Sequence, residues 1–129
     1  MREGPRRVLV VDDEPAVRVT LSGFLEKAGY VVESASNGQA CLRALQRGPA
    51  PDLLVLDLMM PVLTGFEVLA VMRAEPALAA IPVIILTATP GHTAKDLQVD
   101  SVLKKPFDMA DVQASIHVAI ASRRSWKAQ

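Results

Sequence analysis

Short runs of consecutive apolar residues alternate along this chain with longer stretches in which apolar residues recur every three or four positions. The clearest runs are Val8–Val11, Leu53–Leu56 and Val83–Leu86, with weaker ones near Val31 and Val102. Apolar residues in unbroken succession predict strands buried on both faces, as in a parallel sheet covered by helices. Between the runs, Val17, Leu21, Phe24, Leu25 and Ala28 fall on one face of a helix that follows Pro15 and ends at Gly29. Asn37 is a candidate N-cap for a second helix, closed by Gly48. A third runs from about Gly65 to Glu75 and stops at Pro76. The last starts at Asp108, an N-cap candidate, and sets Val112, Ile116 and Ile120 on one stripe. The order is five βα units, which right-handed crossovers turn into a doubly wound α/β fold: a five-stranded parallel sheet with helices on both faces. Residues 8–122 are expected to form the domain, with 1–7 and 123–129 as arms outside it.

Composition narrows the function. At 129 residues, half of them hydrophobic, the chain supports one domain with an ordinary core and is not disordered. Lys+Arg and Asp+Glu both number 14, and that balance argues against a phosphate backbone as partner, so no direct DNA binding is expected. The single cysteine, Cys41, can form neither an intrachain disulfide nor a cysteine metal site and reads as a small apolar filler. No stretch approaches the roughly 20 apolar residues that span a bilayer. The opening "MREGPRR" leads into a strand and an acidic cluster, unlike a signal peptide, so a cytoplasmic location is expected.

Ligands of open α/β sheets bind beyond the carboxyl ends of the strands. The polar residues just past each apolar run are therefore the informative ones. Asp12, Asp13 and Glu14 follow the first run, Asp57 the third, Thr87 the fourth, and Lys104 and Lys105 the fifth. Taken singly, each has a plain structural use: a turn or cap for Asp57, an N-cap for Asp12 or Asp13, a strand residue in Thr87, solvated lysines. Together they put carboxylates, a hydroxyl and an ammonium on one sheet edge. Close carboxylates repel unless a cation sits among them, and an all-oxygen set suits a hard divalent ion, Mg²⁺ above all. The backbone carbonyl of Met59 would add a further ligand to Asp12, Asp13 and Asp57. An Asp carboxylate so placed is a candidate nucleophile towards phosphorus, with Lys105 countering charge and Thr87 hydrogen-bonding a phosphoryl oxygen.

These residues resemble the receiver domain of two-component response regulators, over about residues 8–122. The resemblance is carried by "VLVVDDEP", "LLVLDLMMPVLTG", "VIILTA" and "LKKPF", in that order. It implies the flavodoxin-like form of the fold, Asp13 as direct metal ligand with Asp12 assisting, Asp57 as phosphoacceptor and Thr87 as switch hydroxyl. Lys105 matches the family's lysine, followed by a cis bond to Pro106. It further implies a sensor histidine kinase or a His-containing phosphotransfer protein as donor and Mg²⁺ as cofactor. The resulting acyl phosphate adds roughly −1.5 to −2 charges, and Thr87 moves towards it, biasing a two-state surface read by a downstream protein. Such a chain is a phosphoacceptor that assists its own phosphorylation and dephosphorylation and is not otherwise an enzyme. Met59 and Thr89 occupy positions that tune phosphoryl lifetime in this family.

Two departures fall on the output side. The position three before the lysine, aromatic in most receivers, is Val102. The stretch from Thr87 to Lys105 is about four residues, one helical turn, shorter than usual, which predicts a short or irregular fourth helix between Gly91 and Leu97. A monomer is expected for the same reason. The alternative these departures raise is a pseudo-receiver, folded and never phosphorylated, that serves as a protein-interaction module. A phosphatase of the haloacid-dehalogenase type needs its nucleophile after the first strand in an Asp-x-Asp pattern, which "DDEPAVRVT" lacks. A flavodoxin needs a hydroxyl- and Gly-rich phosphate loop where this chain has acids. His92 and His117 lack spacing partners and are expected at surface or partly buried helix positions. Arg123, Arg124, Trp126 and Lys127 are expected in a frayed end or the start of a linker. No DNA-binding module follows the receiver, so output is expected to act through another protein.

Overall fold

The structure, a computed structural model, describes residues 6–128, with side chains through residue 121. Five strands form one parallel sheet: β1 (Arg7–Val11), β2 (Val31–Ala35), β3 (Leu53–Asp57), β4 (Val83–Thr87) and β5 (Ser101–Lys104), in the order β2-β1-β3-β4-β5. The register pairs Val11 with Leu56, Asp57 with Leu86, and Thr87 with Lys104, so the strand ends are level. The helices are α1 (Pro15–Lys27), α2 (Gly38–Arg47), α3 (Gly65–Ala74), the single turns α4 (Pro76–Ala79) and α5 (Ala94–Leu97), and α6 (Met109–Ala128).

Because successive side chains of a strand point to opposite faces, the unbroken apolar runs feed two half-cores. Val8, Val10, Leu53, Val55, Ile84 and Leu86 pack against Leu21 and Leu25 of α1 and Val112 and Ile116 of α6. Leu9, Val11, Leu54, Leu56 and Ile85 pack on the other face against α2, α3 and α4 through residues such as Cys41, Leu45, Val68, Met72 and Leu78. Each fully buried leucine contributes about 1.5–3 kcal/mol, and β3 and β4 are buried along their whole length. Cys41 is one of these packing residues, and burial pushes its thiol up to about 12, which keeps it unreactive.

Several local expectations are met in detail. Asn37 Oδ1 accepts from the Ala40 N–H at 2.8 Å, and Asp108 Oδ1 from that of Asp111 at 2.9 Å. The helix before β5 is one turn, Ala94–Leu97, ended by Gln98 in the left-handed region at φ 57°. The Lys105–Pro106 bond is cis. Others differ. Neither Asp12 nor Asp13 is the N-cap of α1; that place belongs to Glu14, whose side chain makes no cap bond. Pro76 does not only end α3: its fixed φ also starts the separate turn α4, which closes towards β4 by the Ile81 N–H to Leu78 O bond. β1 begins at Arg7, within the expected N-terminal arm; residues 1–5 lie outside the described ones. The backbone of α6 continues to Ala128, so 123–128 extend the helix where a tail was expected.

The loop after β3 holds one strained residue. Val62 sits at φ 70°, a conformation that a β-branched side chain adopts only at a cost of about 1–3 kcal/mol. Its side chain is 84% exposed and so recovers little by packing. Val62→Gly should therefore raise unfolding stability by roughly 1 kcal/mol in a urea titration, after allowance for glycine's larger unfolded-state entropy. A loss of stability would show that the φ at Val62 is not strained.

Candidate functional site: an acidic pocket at the carboxyl edge of the sheet

Asp57 is the last residue of the central strand β3 and only 3% exposed. The next stretch of chain is shaped around that position. Gly65 opens α3 directly against the strand end: its N–H donates to Leu58 O at 2.8 Å, and a Cβ there would lie 2.5 Å from Asp57 O and 2.8 Å from Leu58 Cα. Only glycine permits that approach. Thr64 and Glu67 then lock the helix start with a capping box.

Asp12 and Asp13 come directly after β1, the neighbouring strand. Asp12 is fully buried, and its Oδ1 accepts from the Glu14 N–H at 2.9 Å. From α1, the Arg18 guanidinium donates to the Asp12 carbonyl at 2.7 Å, fixing the loop from its other side. Carboxylate oxygens of Asp12, Asp13 and Asp57 all lie within 4.8 Å of one another. Lys105, just beyond β5, reaches across: its Nζ is 2.8 Å from Asp12 Oδ2, 3.2 Å from Glu14 Oε1 and 3.6 Å from Asp57 Oδ2.

One ammonium does not balance this group of acids. Burial first, then the Asp12 charge, pushes the Asp57 carboxyl up; Lys105 and the Met59 N–H, which donates to Asp57 Oδ1 at 3.3 Å, pull it down, and Asp13 adds to the rise. The result is about 6, well above an ordinary aspartate. Burial lowers the proton affinity of Lys105, but its contacts with Asp12 and Glu14 and the charges of Asp12 and Asp57 outweigh that and leave it raised. Asp12 Oδ2 lies close to Lys105 yet not in hydrogen-bond alignment, and it is a buried side-chain oxygen with no hydrogen-bond partner. A buried, unbonded carboxylate oxygen beside two further carboxylates is a donor set fitted to a hard divalent cation.

The site thus brings together Asp12, Asp13, Asp57 and Lys105. Met59 contributes main chain at Asp57, while its side chain is exposed. Thr87 is buried at the end of the adjacent strand β4, but its hydroxyl closes a local turn, accepting from the Thr89 N–H at 3.0 Å and donating to Thr89 O at 3.3 Å. Lys104 is exposed, and Val102 is half-buried in the core face of β5. His92 is part-exposed and meets Phe66 edge-on, with ring centroids 5.5 Å apart; His117 is exposed. Two members of the site were not assigned from sequence: Glu14, whose reach to Lys105 no spacing reveals, and Arg18, one polar position on an otherwise ordinary helix.

Residues 8–117 match the response regulator receiver domain, and the chain belongs to that family. Among its relatives is the DNA-binding dual master transcriptional regulator RpaA of Synechocystis, 39% identical over 88% of this chain and 48% of that protein. Another is the alkaline phosphatase synthesis transcriptional regulatory protein PhoP of Bacillus subtilis, 36% identical over 93% of this chain and 50% of that one. The chain therefore spans about half the length of these curated relatives. Among solved structures, the chemotaxis protein CheY4 of Vibrio cholerae superposes with a TM-score of 0.82 at 29% identity, over 90% of this chain and 99% of that one. The receiver domain of the sensor histidine kinase PA1611 of Pseudomonas aeruginosa, which holds a magnesium ion in its active-site cleft, gives 0.81 at 27% identity, over 92% and 99%.

The raised Asp57 carboxyl has a sign-determined effect on stability. Below about pH 4 the carboxyl is protonated in both states; between pH 4 and 6 the unfolded chain ionises while the fold retains the proton, so stability falls as pH rises through that window and stays lower above it. In EDTA at pH 7.5, Asp57→Asn should be more stable than wild type by on the order of 2 kcal/mol, and the difference should vanish near pH 4. Equal stability at both pH values would show that Asp57 carries no such penalty.

Proposed function

We propose that this chain accepts a phosphoryl group on Asp57 from a sensor histidine kinase or a His-containing phosphotransfer protein, in a Mg²⁺-dependent reaction, and passes the change of state to a partner protein. The observation that carries the reading is the buried Asp57 carboxylate at the end of the central strand, within one 4.8 Å cluster with Asp12 and Asp13 and 3.6 Å from Lys105. Membership of the receiver family supports it, as do relatives named as transcriptional regulators.

In this reaction an Asp57 oxygen attacks phosphorus, the bond from phosphorus to the donor's imidazole nitrogen breaks, and the imidazole leaves. Asp12 and Asp13, with Asp57 itself and the Met59 carbonyl, would hold Mg²⁺. When bound, that ion neutralises the carboxylates and the oxygens of the group being transferred. Among the described residues, Lys105 supplies the cationic side chain at the Asp57 oxygens, positioned to meet the incoming negative charge. The Gly65 contact fixes the strand end, so Asp57 presents the same geometry to each donor. Thr87 is released from Thr89 only when a better acceptor arrives, and a phosphoryl oxygen on Asp57 is that acceptor. Giving up the two Thr87–Thr89 bonds then loosens the loop that leads into α5, on the output side. The domain is a phosphoacceptor, not an enzyme with a separate substrate, and acts in the cytoplasm; among the described residues no helix is long and apolar enough to cross a membrane.

Incubation with acetyl phosphate and Mg²⁺ should add one phosphoryl group to the intact mass, with no gain in excess EDTA and none in Asp57→Asn. Wild type that stays unmodified with acetyl phosphate and also with a phosphorylated kinase would contradict the reading and favour a pseudo-receiver.

A further inference from the structure

Lys105 is held by three carboxylates, and they differ in what else they do. Asp12 and Asp57 belong to the cation-binding cluster. Glu14 does not, and its side chain is 61% exposed against 16% for the lysine it grips. It is also the residue whose backbone N–H donates to Asp12 Oδ1, so its main chain is anchored while its side chain reaches out to Lys105. Beyond this pair opens a cavity of about 570 Å³ between the start of α1 and the segment after β5, lined by Val17, Thr20, Ala88, Pro106 and Phe107. Glu14 and Lys105 themselves line it. Lys105 thus borders both this cavity and Asp57, and Glu14 is the exposed acid that holds it on the cavity side.

We infer that Glu14 is a positioning residue for Lys105 that makes the site discriminate among phosphodonors by their charge. The inference rests on the phosphoacceptor reading of Asp57. A cation among Asp12, Asp13 and Asp57 occupies the charges of those three acids, and Glu14 is then the remaining anion that competes for Lys105. An approaching phosphoryl group meets this carboxylate twice, as a like charge beside Lys105 and as a rival for the ammonium. The cost grows with the donor's own negative charge. A small dianionic donor bears most of it; a donor whose phosphorus leaves from a neutral or cationic nitrogen group bears less.

Two small donors separate charge from everything else. With acetyl phosphate, the bond from phosphorus to the acetyl oxygen breaks, an Asp57 oxygen bonds to phosphorus, and acetate leaves. With phosphoramidate, a net monoanion carrying an ammonium, the nitrogen–phosphorus bond breaks, the same oxygen–phosphorus bond forms, and ammonia leaves. Initial rates are read by intact mass under Mg²⁺ for wild type, Glu14→Gln and Glu14→Lys, with thermal midpoints and Mg²⁺ affinity by calorimetry measured alongside.

Removing the charge should speed acetyl phosphate about three- to ten-fold and phosphoramidate only about two- to three-fold, so the ratio of the two rates rises; Glu14→Lys should raise it further. At about 0.5 M salt the gain should shrink towards unity, which a purely structural role for Glu14 would not produce. An unchanged ratio, a slowing with both donors, or a gain insensitive to salt would overturn this inference while leaving the phosphoacceptor reading standing. Failure of wild type and variants alike with both donors and with a phosphorylated kinase would overturn both.

Discussion

The structure is organised around the cost of ending a fully buried strand in a carboxylate. Asp57 has apolar residues behind it and two more aspartates beside it, and its proton affinity rises to about 6 because neither burial nor like charge can be avoided there. Every neighbouring element answers that cost. Lys105 comes across from the end of β5, the Met59 N–H turns back onto the carboxylate, and Gly65 lets α3 close behind it without a side chain in the way. These leave one buried oxygen of Asp12 without a hydrogen bond, in a cluster of three carboxylates suited to a cation. The proposed chemistry draws on an electrostatic imbalance that the fold leaves open.

Much of this was legible in the sequence because its cause is local or periodic. Unbroken apolar runs suggest strands covered on both faces, and the level register of the parallel sheet then carries Asp12, Asp57, Thr87 and Lys105 to one edge. Asn37, Asp108 and the shortened α5 were readable for the same reason, since caps and helix length depend on neighbours in the chain. The rest depends on reach through space. The Glu14–Lys105 contact joins residues 91 apart, and nothing in "DDEP" says that the third acid, not only the first two, will meet the lysine. Pro76 illustrates another limit: a proline is readable as a stop, but whether the chain turns at once into a new helix depends on the packing of Leu78 and Ile81 beneath α3.

The segment from Thr87 to β5 is organised differently from the acidic pocket. It is short and tied by few contacts: α5 is one turn, with its last carbonyl, that of Leu97, held by Arg73 of α3. Val102, Leu97 and Val99 are only partly buried against the core. In place of a large aromatic on β5, the aromatic contact here joins Phe66 on α3 to His92 in the loop after Thr87. Local stability is low where a region has few buried contacts. The acidic pocket is tied together by the Lys105 ion pairs, while the segment beyond Thr87 packs on the core only through partly buried residues.

The most direct measurement is the ionisation of Asp57 itself, followed by carboxyl ¹³C chemical shift across pH, without and then with Mg²⁺. A midpoint near 6 is expected without the ion, with a large downward shift when it is added. A midpoint in the ordinary aspartate range that Mg²⁺ does not move would contradict this, because the open charge on which the site's chemistry depends would not exist.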